Sequence, residues 1–284
     1  IRCRSPAGHP YDRYYNRSQI MDELRTSLET FGLSVAPQLA AVAREVSGAE
    51  EAVCLVDGPI YHTPSLVREE RDDVEKYVEA WASMIRSRLA VLREVGGLVA
   101  VAGIVKRVER SRLLVRCGEF AAMVHSRLGV EIAKLGNDLS AVDYLARVAY
   151  QRLPSDHPMM PIRIGPFVAR PESLGLGRLV KGAPPKYFVY IAAPRHPYHY
   201  GWIDVFRVEA VGQLGERIEE LASLVAASSL GIGVPAPIAA ADRRCREVAR
   251  SLFLYAYRAA RGRLTLTRET EIEFLTAVSG GGAA

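Results

Sequence analysis

The sequence predicts a mixed α/β domain with a central sheet and outer helices. Three observations predict it. Short apolar runs end abruptly in turn residues, charged segments between them carry apolar residues at three- and four-residue steps, and further β-type runs cluster in a proline-rich middle. The composition agrees: of 284 residues, 49% are hydrophobic and 24% charged, the balance of a folded globular chain rather than a disordered or collagenous one. The length suits one α/β domain spanning 1–284, with 1–17 as an irregular, turn-rich opening.

Ser18 is the expected N-cap of a first helix. Ile20, Leu24, Leu28, Phe31, Val35, Leu39, Val42 and Val46 recur along it at helical steps, with a break expected near Gly32 and Pro37. Ala52 to Val56 is a buried strand that stops at Asp57-Gly58-Pro59. Glu69 to Glu94 is a long, charged surface helix with Val74, Tyr77, Val78, Trp81, Ile85, Leu89 and Leu92 on one stripe. Gly96-Gly97 then punctuates, and Leu98 to Val105 is a second buried strand, ending in Lys106-Arg107. Helices are expected at Gly118 to Val130 and Asp138 to Tyr150. Strands follow at Pro161 to Val168, Tyr187 to Ala193 and Trp202 to Val208, and closing helices at Gly215 to Ser229 and Pro237 to Arg261.

Several classes are excluded. Cys3, Cys54, Cys117 and Cys245 are too far apart for a CxxC zinc site, and reduced thiols in a cytoplasmic protein are the simpler reading. No secretory signal is visible. Leu221 to Ala241 is uncharged and as long as a membrane span, but Gly231, Gly233 and Pro235-Ala236-Pro237 break it, so no membrane span is expected. There is no GxxxxGK[ST], GxGxxG after a strand, GxSxG or HExxH.

Asp57 is the strongest candidate for chemistry. A carboxylate at the C-terminal end of a buried strand stands where α/β sheets place ligands and metals, although an Asx-turn cap explains the same residue more simply. A hard divalent cation would need further oxygen ligands, and Glu23 and Glu29 lie among the apolar positions of the preceding helix. If the two strands are parallel neighbours, Lys106 and Arg107 project near Asp57 and suit a phosphate; a strand end reaching solvent is the competing reading. From Lys186 to Tyr200, Tyr187, Tyr190, Arg195, His196, Tyr198 and His199 interleave rings with cations, as surfaces that stack bases do, with simple packing in a strand the competing reading for Tyr187 and Tyr190. The net charge of +5 is a weak hint in the same direction.

Taken in order, these pieces resemble the NurA family of archaeal and bacterial DNA-end-processing nucleases. The resemblance rests on Val53 to Ile60, on Leu98 to Arg107, on Lys186-Tyr187 through Arg207-Val208-Glu209, and on Gly233 to Ile238 followed by Ala241-Asp242. It implies an RNase H-like fold and a manganese- or magnesium-dependent nuclease acting on single- and double-stranded DNA in end resection. It also implies a homodimer and a hexameric ATPase partner of the HerA type. The charged helix Glu69 to Glu94 is a candidate dimer surface, with solvent exposure the simpler reading. Asp57 matches a family ligand, the helix ligand falls on Glu29 with Glu23 in reserve, and Asp242 stands where the family has a His. Lys106, Arg107, Lys186 and Arg195 are the cations expected on DNA.

Beside Asp242 at the family's His, two further family features differ. Val234 stands at the family's Tyr, and no Asp-Gly strand precedes Asp57, Asp12 lying in a turn-rich stretch. The expectation is that the first ligand Asp is cut away upstream of Ile1 or lost. A non-catalytic DNA-binding adaptor subunit is the alternative function.

Overall fold

The structure, a computed structural model, describes residues 3–4, 14–15, 17–61, 71–154, 156–172, 174 and 180–261. The chain forms two compact units, Ile1–Ile238 and Ala239–Ala284. In the first, β1 (Cys3–Arg4) and β2 (Tyr14–Tyr15) pair antiparallel as a small ribbon. Helices α1 (Arg17–Ser34) and α2 (Ala36–Ser47) lead into β3 (Val53–Asp57). Then come α3 (Arg71–Gly96), β4 (Ala100–Val105), α4 (Gly118–Leu128), a 3₁₀ turn at Ile132–Leu135 and α5 (Asp138–Tyr150). Strands β5 (Ile162–Ala169), β6 (Lys186–His196) and β7 (His199–Val211) precede α6 (Gln213–Glu216), α7 (Ile218–Ala227) and α8 (Ala236–Arg261).

The main sheet has five strands in the order β3-β4-β7-β6-β5. Only β3 and β4 run parallel, with Asp57 opposite Ile104; every other pairing is antiparallel. This mixed sheet flanked by helices is consistent with an RNase H-like fold. Alternation along the strands sorts the core. Ala102, Ile104, Val189, Ile191, Phe206 and Val208 pack on one face with Ile218, Leu221 and Val225 of α7. On the other face, Leu33, Ala36, Trp81, Ile85 and Leu89 of α1 to α3 cover Val56 and Val101, while Ala141, Val142 and Tyr150 of α5 cover Phe188 and Tyr190.

Two expectations change. α1 begins at Arg17, so Ser18 lies inside the helix; the expected break falls at Val35, between Gly32 and Pro37. Pro37 opens α2, where a missing N–H costs nothing. The stripe Leu24, Leu28, Phe31, Leu39, Val42 and Val46 faces outward, with Val46 83% exposed. The buried side of these helices carries Leu33 with the short side chains Thr26, Ala36 and Ala40, which let α1 and α2 lie close to their neighbours. The uncharged segment 221–241 divides as expected, since α7 ends at Ala227 and α8 starts at Ala236. Among the described residues no helix is long and apolar enough to cross a membrane.

Candidate functional site

The C-terminal ends of β3 and β4 hold the candidate site. Their parallel register brings Lys106, just past β4, onto Asp57, the last residue of β3. Lys106 Nζ lies 2.8 Å from Asp57 Oδ2, and both side chains are partly exposed. Arg107 is exposed beside them. β3 stops there because Gly58 takes φ +146° and its N–H turns back to the Val56 carbonyl. A side chain at Gly58 would meet the Arg25 guanidinium at 2.6 Å.

Glu29 reaches the same strand end from α1. It shares the inward face with Thr26 and Leu33, three and four residues away, and its side chain is 17% exposed. Arg25 bridges the two candidates: Nε donates to Glu29 Oε1 at 2.7 Å and Nη2 to the Asp57 carbonyl at 2.9 Å. Arg88, fully buried on α3, donates to Glu29 Oε2 at 2.7 Å, to the Ile60 carbonyl at 2.6 Å and to the Pro59 carbonyl at 3.3 Å. Burial lowers the Arg88 pKa and the charge of Glu29 opposes that shift.

The turn after Asp57 is held from beneath by a buried triad. Ile60 N–H donates to Glu209 Oε2 at 3.0 Å, and Lys186 Nζ lies 2.9 Å from the same oxygen. Lys186 also donates to the Tyr61 carbonyl at 3.1 Å and sits 4.4 Å from the Tyr61 ring centroid. Arg207 binds Glu209 Oε1 at 2.7 Å. Burial alone would raise the Glu209 carboxyl, but Lys186, Arg207 and their hydrogen bonds hold it below the ordinary carboxylate value. With two cations to one anion, burial falls on the lysine and lowers its pKa. Gly103 makes room for this arrangement. It pairs with Glu209 across the sheet, and a Cβ there would come within 2.6 Å of the Ile60 nitrogen.

Lys186 therefore corrects an expectation. At 3% exposure, bonded to Glu209 and Tyr61, it is a core charge and offers no cation to solvent. Tyr190 is likewise buried in β6, whereas Tyr198 and Trp202 are exposed near the β6–β7 hairpin tip. Arg195 is exposed on that hairpin but is held by Asp204 through two hydrogen bonds, at 2.5 and 2.8 Å. Asp242 lies on α8 in the second unit, 2.7 Å from Arg246 one turn on. Asp12 and the side chain of Glu23 lie outside the described residues.

Two carboxylates thus serve one strand end, each on a cation. By strand alternation Asp57 follows Val53 and Leu55 toward the α7 face, while Glu29 stands with Arg88 on the other. Among the described residues no group of three or more His, Cys, Asp and Glu is placed to hold a metal. The fit to a divalent cation is partial: two oxygen-donating side chains, no third. Arg88 and Glu209 are the residues that sequence reasoning missed. Glu209 left a trace in the Arg-Val-Glu end of its strand, but Arg88 reads as one more charge on a charged helix.

A family model described as the NurA domain matches residues 4–247. No curated protein and no solved structure matches the chain at a significant level.

Proposed function

The chain belongs to the NurA family, a family of nucleases that process DNA ends, and from that premise we propose that it hydrolyses DNA phosphodiesters with a divalent cation, manganese or magnesium. The observation that carries this reading is the arrival of Asp57 and Glu29 at one strand end beside Lys106. Asp57 is the side chain that would hold the cation, which would supply an activated water and charge for the scissile phosphate; the resemblance assigns Glu29 as a second ligand, and to serve it Glu29 would have to leave Arg88 and reach around the strand end. Asp242 stays a candidate ligand from the resemblance. Lys106 and Arg107 would steady the phosphate, and the exposed rings of Tyr198 and Trp202, with Arg195, would receive bases.

The family further suggests end resection with a hexameric ATPase of the HerA type, and a homodimer. The stripe of Leu24, Leu28, Phe31, Leu39, Val42 and Val46, each more than half exposed, is the surface we assign to the second copy. Exposed apolar side chains concentrated on α1 and α2 mark an interaction site, and their steps of three and four residues within each helix fit a helix of the same kind across a two-fold axis.

The test is degradation of linear DNA by the full-length protein with manganese, beside Asp57→Ala and Asp242→Asn. An unchanged rate in Asp57→Ala would remove Asp57 from the site. One observation favours a second reading, a non-catalytic DNA-binding subunit: both carboxylates already neutralise cations. That reading requires salt-sensitive DNA binding and no metal-stimulated cleavage.

A further inference from the structure

We propose that a groove beside the segment 106–117 binds a single strand of nucleic acid, as a subsite separate from the Asp57 strand end. The inference rests on the nuclease reading only for the use made of the bound strand.

The charge of this segment is concentrated. Lys106, Arg107, Arg110, Arg112 and Arg116 stand against the single Glu109, in a chain whose net charge is only +5. The alternation with the core is equally marked. Val108, Leu114 and Val115 are buried, and Arg110, Arg112 and Arg116 are exposed.

The loop is built to keep its shape. Asp138, fully buried, accepts the N–H groups of Leu113, Leu114 and Val115 at 2.9, 2.9 and 3.1 Å and the Tyr190 hydroxyl at 2.5 Å. Its own N–H donates to the Ser111 carbonyl at 2.9 Å, and Arg207 donates to the Ser111 hydroxyl at 2.8 Å. A buried carboxylate is costly unless its lone pairs are filled. Here they are filled by the loop that carries the arginines.

Arg110, Arg112 and Arg116 line an open cavity of about 740 Å³ with Phe167 in its wall. Phe167 stacks on Phe188 at 5.5 Å and meets the edge of Phe120 at 5.1 Å, so its ring is fixed. Glu119 is the acid on the lining. Arg25, Arg88, Arg195, Arg207 and Arg217 are all engaged by carboxylates. Among the described residues the guanidiniums of Arg110, Arg112 and Arg116 make no ion pair and no side-chain hydrogen bond. Three uncompensated guanidiniums in one concavity focus positive potential, and their planar forks fit phosphate oxygens. The aromatic wall selects among polyanions, because every base offers a ring face to stack. The segment begins at Lys106, the partner of Asp57, so the chain itself links this groove to the strand end.

The probe is a fluorescent oligothymidine of about 15 nucleotides, long enough for a single-strand site. Its anisotropy is read with the full chain in EDTA across a salt series. The variant is Arg110→Ala/Arg112→Ala/Arg116→Ala. The control, Arg44→Ala/Arg93→Ala/Arg243→Ala, removes the same charge elsewhere. The groove variant should bind about tenfold more weakly or worse and lower the salt slope by about 2, the control staying within about threefold. Equal loss in both variants, or no loss in the first, overturns the inference. So does displacement of the oligonucleotide by polyglutamate at matched charge, which would make the site one for an acidic protein. EDTA separates this test from cleavage: binding here without any manganese-dependent cutting removes the nuclease reading alone, and cutting without this binding removes the groove alone.

Discussion

Gly103 and Glu209 face each other across β4 and β7, and the space above Gly103 is filled by the turn that Glu209 holds. A Cβ on residue 103 would lie 2.6 Å from the Ile60 nitrogen and 2.8 Å from the Gly58 carbonyl oxygen, both main-chain atoms with little freedom to yield. Gly103→Ala should cost about 1–3 kcal/mol, as overpacking does, and displace the turn that presents Asp57. Urea unfolding and the cleavage assay read the two effects. Wild-type values in both would show that the turn adapts freely.

Removing the anion of the triad should be far more damaging. Glu209→Gln leaves Lys186 and Arg207 in the core without a carboxylate, which should cost about 3–5 kcal/mol. Lys186→Met in the same chain should return part of that loss, because Lys186 bonds the Glu209 carboxylate directly and the two do not act independently. Strict additivity of the two substitutions in urea would contradict the coupling.

The pH dependence has a definite sign. Folding lowers the Glu209 carboxyl, whose unfolded value is about 4.3. A lowered carboxyl contributes stability that is fully present above its unfolded value and is lost as pH falls through its folded value. The stability difference between wild type and Glu209→Gln should therefore hold from neutrality down to about pH 4 and shrink below it. Denaturation midpoints across that range test this; a gap that widens on acidification would reverse the assignment.

Asp57 and Lys106 should behave otherwise. Their ion pair is partly exposed, so Asp57→Ala and Lys106→Ala should each change stability by less than about 1 kcal/mol. Asp57→Ala should nevertheless reduce cleavage to background. A large fall in melting temperature in Asp57→Ala would mean that the lost activity reports unfolding.

Leu28→Glu with Phe31→Glu alters only side chains that are about two-thirds exposed. The folded chain should survive while the proposed homodimer dissociates, seen as a halved mass in sedimentation. A dimer that persists in the variant places the second copy elsewhere.

Much of this fold was legible because apolar period and turn residues are local signals. The helix expected from Asp138 to Tyr150 has those limits, and the strand read from Leu98 begins two residues later. The faces were harder. The stripe through Leu28 and Val46 reads as a core face, yet burial went to the opposite side, with Leu33 and Ala40. Lys186, Arg207 and Glu209 look like the solvent side of half-buried strands. They face inward because β6 and β7 lie in the middle of the sheet with helices on both faces, and only strand pairing brings them under the Asp57 turn. Asp57 itself was found from its place at a strand end, whereas Arg25 and Arg88 could be linked to it only in three dimensions.

β3 has one further property. Among the described residues it pairs only with β4, although its Val53-Cys54-Leu55-Val56 core is as apolar as an interior strand. Its outer row of amide and carbonyl groups is a template: an extended segment laid along it would sit about 4.8 Å away and extend the sheet by one ribbon. A carboxylate at the right point of such a ribbon would stand next to Asp57. The cation proposed at Asp57 could thus gain a further ligand through main-chain pairing at a sheet margin.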